Sequence, residues 1–321
     1  MTEGTLIPEY RHEPVMLAEV LEQLDLSQGS VACDCTLGGA GHSVKLAAAV
    51  GETGLLIGID QDDMALSAAH ARLDAEAPDT PRKLLKGNFG DLDDLLCSAQ
   101  VPGVDGFLFD LGVSSPQLDI PGRGFSYHED APLDMRMDPG NNTLNAAEVV
   151  NTYNEADLAR ILRVYGEEKF AGQIARQIVR RRQEKPLATT GDLVEAVKAG
   201  IPAAARRHGG HPARKSFQAI RIEVNHELDV LERGLEAAIR WVNPGGRICV
   251  ISYHSLEDRI VKHIFQEHAQ GCTCPPDIPV CVCGHVPALK IITRKPLVAT
   301  AQEVERNPRA RSAKIRVAQR R

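Results

Sequence analysis

The 321-residue chain has no apolar run near the roughly 18 to 20 residues that a membrane-crossing helix needs. Its start, MTEGTLIPEYRHEP, lacks the basic-then-apolar layout of a secretory signal. It also has no internal repeat and no low-complexity segment, which excludes a repeat array. These absences predict a cytoplasmic protein without a membrane partner. In that compartment its eight cysteines stay reduced and read as core, ligand or catalytic thiols before disulfides. What is present is an ordinary globular composition, 43% apolar, enough to bury a sizeable core in one large domain or two modest ones.

The net charge of −6 argues against a nucleic-acid partner until it is divided along the chain. Residues 286–321 carry ten Lys/Arg against Glu303 and Glu305, a net of +8, which leaves −14 for the remainder. Two further basic clusters lie inside that acidic remainder, Arg176–Lys185 and Arg206–Arg221. Any single charge run can be a solvated helix face. Three basic patches on an acidic body suggest a polyanion bound at one place.

The chain is organised around Val31-Ala-Cys-Asp-Cys-Thr-Leu-Gly-Gly-Ala-Gly-His42. A short apolar strand ends near Asp34, then Gly38, Gly39 and Gly41 form a turn, and Ser43-Val-Lys-Leu-Ala-Ala-Ala49 opens a helix. Glycines there let backbone approach a ligand, and a helix start offers free N–H groups, although an ordinary glycine-rich turn has the same look. The next strand, Gly54–Asp60, ends on an acid placed to grip a ribose diol. The nicotinamide fingerprint G-x-G-x-x-G is not completed, since Gly41 is followed by His42-Ser43-Val44. The acid Asp34 ahead of the glycines suits the ammonium of an S-adenosylmethionine methionine moiety, for which a dinucleotide has no counterpart.

Further along, a helix over 62–73 precedes a strand around Arg82–Lys86, and Phe89 follows where a ring covers an adenine or simply packs as core. Strand Val104–Asp110 leads into Leu-Gly-Val-Ser-Ser-Pro-Gln117, at the end of the sheet where ligands sit. From about Pro121 the strand–helix alternation stops; 121–140 is turn-rich and 145–200 helical. One long helix is expected from about Ala213 to Val242, then a strand Arg247–Ser252, then a helix capped by the box Ser255-Leu-Glu-Asp258. Lys290–Thr293 and Ser312–Val317 read as a closing antiparallel pair. The expected fold class is α/β, a Rossmann-like class I methyltransferase sheet from 1–120 and 214–321, with an all-α insertion over 121–213 for recognising substrate RNA.

The strings HEPVM from His12, DCTLGGAGHS, DLGVSSPQLD, RGFSY, PLDMRM, FQAIRIEVNHEL, ISYHSLEDRIVK, ITRKP and NPRARSAKIR occur in this order. In them the chain resembles the MraW-type family of ribosomal RNA methyltransferases over nearly its whole length, from His12 to Arg316. The resemblance implies methyl transfer from S-adenosylmethionine to N4 of a cytidine in the decoding region of 16S rRNA, with the small ribosomal subunit as partner. It places cofactor contacts on Ala40, Gly41, His42, Asp60, Phe89, Asp110 and Gln117.

An exocyclic cytosine amine is a poor nucleophile, because its lone pair is delocalised into the ring, so a site must align it and accept its N–H bonds. Asp110, Ser114 and Ser115 are the candidate catalytic residues. Ser114-Ser-Pro116 stands where amino-methyltransferases carry a Ser/Asn/Asp-Pro-Pro-aromatic motif, but Gln117 replaces proline and ring. Base stacking then falls to Phe125 or Tyr127. Methylation at C5 would need a cysteine nucleophile, and none lies between Cys97 and Cys249. Arg176, Arg180, Arg181 and Arg182 and the basic tail are the expected phosphate grips. His12, His211 and His254 are either substrate-side or structural. Cys272, Cys274, Cys281 and Cys283 form two C-x-C pairs that either hold one zinc ion or pack a loop as thiols. A DNA amino-methyltransferase, or a non-catalytic RNA-binding protein on the same fold, stands as the alternative.

Overall fold

The computed structural model describes residues 13–207, 210–271, 283 and 286–321, apart from the side chains of Ser115 and Pro116. These fall into two compact units, one made of the residues up to Gly112 with Val230–Arg321, the other of Val113–Asp229. The chain opens with α1 (Leu17–Leu24) and then alternates through β1 (Val31–Asp34), α2 (Gly41–Val50), β2 (Leu55–Asp60), α3 (Asp63–Glu76), β3 (Arg82–Lys86), α4 (Leu92–Ser98) and β4 (Val104–Asp110). Helices α5 (Ser115–Asp119), α6 (Ala146–Thr152), α7 (Glu155–Val164), α8 (Ala171–Glu184), α9 (Thr190–Gly200) and α10 (Arg214–Asn225) follow. Helix α11 (Glu227–Trp241) leads to β5 (Val242–Ser252), α12 (Ser255–Ala269), β6 (Leu289–Ile291), β7 (Leu297–Val298), α13 (Ala301–Arg306) and β8 (Lys314–Arg320).

The strands form one sheet in the order β3-β2-β1-β4-β5-β8-β6, with β7 also on β8. The first five run parallel, and β8 is antiparallel to β5 and β6. Parallel strands covered on both faces read as continuous apolar runs. Alternate residues then serve opposite layers: Phe107 and Phe109 of β4 join Leu92, Leu231, Leu235 and Phe265 of α4, α11 and α12. Leu108 joins Val20, Val44 and Leu73 of α1, α2 and α3 on the other face. The sheet is a doubly wound α/β layer of the Rossmann-like methyltransferase type, and β6 with β8 forms the expected antiparallel closure. Its strand order reverses between β1 and β4, so the crevice beyond their carboxyl ends is where a ligand belongs.

Several expectations change. The helix expected over 213–242 is two, because His226 takes the left-handed conformation (φ 51°) and ends α10. The apolar spacing runs straight across this break, so periodicity cannot reveal it. Arg221 spans it, donating to both oxygens of Glu227 at 2.7 and 2.8 Å. Phe217, Ile220 and Val224 of α10 pack with Leu158, Ile161 and Ile178. The helical unit is accordingly wider than 121–213. Strand β5 starts at Val242, earlier than Arg247, and a register shift opposite Val104 and Gly106 absorbs the Asn243–Gly246 turn. The basic tail is partly structural: Arg316 and Lys314 of β8 bind Asp258 of α12 at 2.6 and 3.5 Å.

Candidate active site

Strands β1, β2 and β4 each end in an aspartate, at the edge where helix N-termini follow. Asp34 is 2% exposed, and burial pushes its carboxyl up. Its oxygens accept from the Thr36 N–H at 3.1 Å and the Ser43 hydroxyl at 2.6 Å. The acid expected to face a methionine ammonium thus braces the turn onto α2.

Within that turn Gly38 has φ 50° and donates its N–H to Asp60 Oδ2 at 2.8 Å. Ala40, the residue ahead of α2, is also left-handed at φ 59°. At Gly41 an added Cβ would stand 2.9 Å from Pro14 Cγ. Contact with the chain ahead of α1 therefore demands that glycine, a reason distinct from ligand access. His42 is buried; its Nε2 lies 3.0 Å from the Val15 carbonyl and its Nδ1 3.6 Å from Asp110 Oδ2.

Asp60 accepts from the N–H groups of Gly38 and Asp62, one on each oxygen. Burial pushes its pKa up to about 6. A carboxylate oxygen takes two donors, so each retains one lone pair suited to a ribose hydroxyl. Phe89 is half-buried, edge-on to Phe109 with 5.5 Å between centroids, and it rests on α11, where an added Cβ at Gly234 would meet its ring at 2.6 Å. Its ring is therefore part of the core layer as well as of the strand-end rim.

Asp110 is half-buried. Its N–H donates to the Thr36 hydroxyl at 2.7 Å, and its Oδ1 accepts from the Tyr253 hydroxyl at 2.7 Å. Burial raises its carboxyl pKa, against which His42 and the Tyr253 hydrogen bond act downward. Tyr253 has no place among the residues singled out from sequence. The signal that could have found it is positional, since it is the first residue beyond β5, the strand paired with β4.

The carboxyl ends thus gather Ala40, Gly41, His42, Asp60, Phe89 and Asp110 on the sheet unit. In the helical unit, Ser114 precedes α5 and gives its N–H to Gln117 Oε1 at 2.9 Å, with Gln117 buried. The side chain of Ser115 lies outside the described residues, as do His12, Cys272, Cys274 and Cys281, so the zinc question falls there too. Phe125 is 5% exposed and does not offer a free ring. Tyr127 stacks on His211 at 4.5 Å. Arg182 donates to the Val150 and Tyr153 carbonyls and so ties helices together, while Arg176 and Arg180 are exposed. The capping box of α12 is one residue earlier than expected, with His254 as N-cap and Glu257 accepting its N–H. His254 is therefore structural in at least this respect.

The family model of the MraW methylase family matches residues 9–321. The chain belongs to the MraW methylase family. Relatives agree over essentially full length. "Ribosomal RNA small subunit methyltransferase H" of Paenibacillus sp. (strain JDR-2) is 54% identical, covering 97% of this chain and 99% of that protein. Proteins of the same name from Brevibacillus brevis and Symbiobacterium thermophilum are each 53% identical, covering 97% and 96% of this chain and 98% and 96% of theirs. More remote likenesses among solved structures, such as an rRNA methylase from Streptococcus thermophilus (TM-score 0.39, 11% identity, 95% of this chain and 91% of that chain), are too weak to bear on the site.

The chain is a methyltransferase whose methyl donor is S-adenosylmethionine. The residues present fit that donor: a turn held open by two left-handed residues, and a half-buried acid with lone pairs left at the end of β2. No helix among the described residues is long and apolar enough to cross a membrane.

Proposed function

We propose that this chain methylates the exocyclic N4 of a cytidine in the decoding region of 16S rRNA, acting on the small ribosomal subunit in the cytoplasm. Support comes from the names its relatives carry, from the motif DLGVSSPQ that follows β4, and from one structural observation above the others. That observation is the carboxyl of Asp110 at the end of β4, which accepts the Tyr253 hydroxyl at 2.7 Å and faces His42 Nδ1 at 3.6 Å. A protein that only bound RNA would have no need to hold a carboxyl where burial works against its ionised form.

In this reading Asp60 holds the ribose diol, and Ala40, Gly41, His42, Phe89, Asp110 and Gln117 complete the cofactor contacts. S-adenosylmethionine supplies an electrophilic methyl on sulfonium sulfur. Asp110, Ser114 and Ser115 accept the N–H bonds of the target amine, which orients its weak lone pair and stabilises the positive charge that grows on nitrogen. The amine is tied up in folded RNA, so the base is taken unpaired or flipped. Arg176, Arg180 and Arg181 of α8, with Arg206 and Arg207, grip phosphate. Their contribution is salt-dependent.

The test is methyl transfer from labelled S-adenosylmethionine to small ribosomal subunits from a strain lacking this protein, followed by nuclease digestion and nucleoside mass analysis. Label in N4-methylcytidine is the expected result. Label in another nucleoside would refute the assigned atom, and no label in RNA alongside retained cofactor binding would move the assignment to the DNA enzyme or the RNA-binding protein.

A further inference from the structure

Asp110 has two oxygens with different neighbours. Oδ2 faces His42 Nδ1 at 3.6 Å, and the imidazole's other nitrogen lies 3.0 Å from the Val15 carbonyl. A carbonyl can only accept, so Nε2 carries a hydrogen. Oδ1 accepts the Tyr253 hydroxyl at 2.7 Å. Burial, then the neighbouring Asp110 charge, holds the Tyr253 phenol well above its ordinary range, so Tyr253 remains a donor throughout the working pH.

We propose that Tyr253 is a positioning residue of the reaction: its hydroxyl locks the Asp110 carboxyl in one rotamer and keeps it an acceptor for the substrate amine. The proposal rests on the role given above to Asp110. The chemistry needs such a device because the surroundings disfavour a carboxylate. Burial and the charges of Asp34 on β1 and Glu257 on α12 all push its pKa upward, while His42 on α2 and Tyr253 oppose them. The neutral thiol of Cys249 on β5 lies nearby, with its own pKa raised by burial and by Asp110, and the charge of Arg309 acts downward on the pKa of Tyr253. Of the two opposing groups, His42 already spends one nitrogen on Val15. Tyr253 commits its one hydroxyl proton to Asp110 Oδ1.

Tyr253→Phe keeps the ring and removes the donor. Anion stabilisation is lost, so the Asp110 pKa rises and the acidic limb of the kcat–pH profile moves to higher pH. We expect kcat at neutral pH to fall about tenfold, less than the roughly 10²–10³ typical of a donor aimed at the reacting atoms themselves, because Tyr253 acts through Asp110, with KM for the rRNA substrate nearly unchanged. A purely structural role would lower the active fraction without moving the limb. Asp110→Asn is the control. If it is inactive while Tyr253→Phe keeps the wild-type rate and limb, this proposal is overturned and the role of Asp110 stands; if Asp110→Asn is fully active, the underlying reading fails instead. Should Tyr253→Phe not fold, protein made with 3-fluorotyrosine, a stronger donor of nearly the same shape, supplies the second measurement. Its acidic limb should move to lower pH, and an unmoved limb would overturn the proposal.

Discussion

The sheet unit and the helical unit satisfy their polar groups in opposite ways. In the helical unit the bonds are mostly local: Asn145, Asn154 and Thr189 cap their own helices within three residues. Its core is a single apolar cluster of helix faces, and its exposed arginines face solvent. In the sheet unit the decisive bonds join distant segments. Asp110 meets Tyr253 143 positions away and Thr36 74 positions away. Local bonding builds a surface that can vary, whereas long-range bonding fixes charged groups to within tenths of an ångström, which is what a reacting centre needs.

Substitutions that separate the two kinds of bonding sharpen this contrast. The largest effect is expected at Asp110→Ala, which should lower kcat by about 100-fold or more with the fold retained, as for loss of a group that acts on the reacting atoms; steady-state rates and a thermal melt together check it. In the helical core, Phe217→Ala should instead cost about 3–5 kcal/mol of stability, seen as an early denaturant transition, with cofactor affinity preserved. Gly234→Ala tests the sheet unit without removing a polar group. Its Cβ meets the Phe89 ring at 2.6 Å, so overpacking of about 1–3 kcal/mol and weaker cofactor binding should appear together in calorimetry.

Asp60 gives a pH-dependent effect. Its pKa of about 6 in the fold lies above its ordinary value of 3.8, so its contribution to stability is present in full below the ordinary value and lost as pH rises through 6. A diol that donates to the carboxylate reverses this preference. Cofactor affinity should therefore weaken about tenfold by pH 5 relative to pH 7.5, and titration calorimetry at the two values decides it; a flat response would remove Asp60 from the ribose site. The smallest effect on the fold belongs to Arg180→Ala, expected within about 0.5 kcal/mol in stability, together with a raised KM for ribosomal substrate and a shallower salt dependence.

Much of this was legible in the residues. Strand β4 begins and ends where its apolar run does, and β6 with β8 forms the antiparallel pair that Lys290–Thr293 and Ser312–Val317 suggest, because burial on both faces leaves an unbroken pattern. Helix periodicity likewise located the helical unit. It missed the break at His226, since a single left-handed residue changes direction without changing which positions are apolar. It also could not assign work to each basic residue: Arg182 and Arg316 look like phosphate grips in the sequence but are spent on helix carbonyls and on Asp258.

The sequence by itself determined the class of fold, the glycine turn, the three strand-end aspartates and the family, because these depend on local pattern and on strings of neighbouring residues. Only the tertiary structure decided which partners each aspartate keeps. Asp34 became a brace, Asp60 a half-open acceptor, and Asp110 the centre of a bonded cluster with His42 and Tyr253. The physical reason is that three identical side chains at three similar strand ends differ only in what the sheet order brings beside them, and β4 lies between β1 and β5.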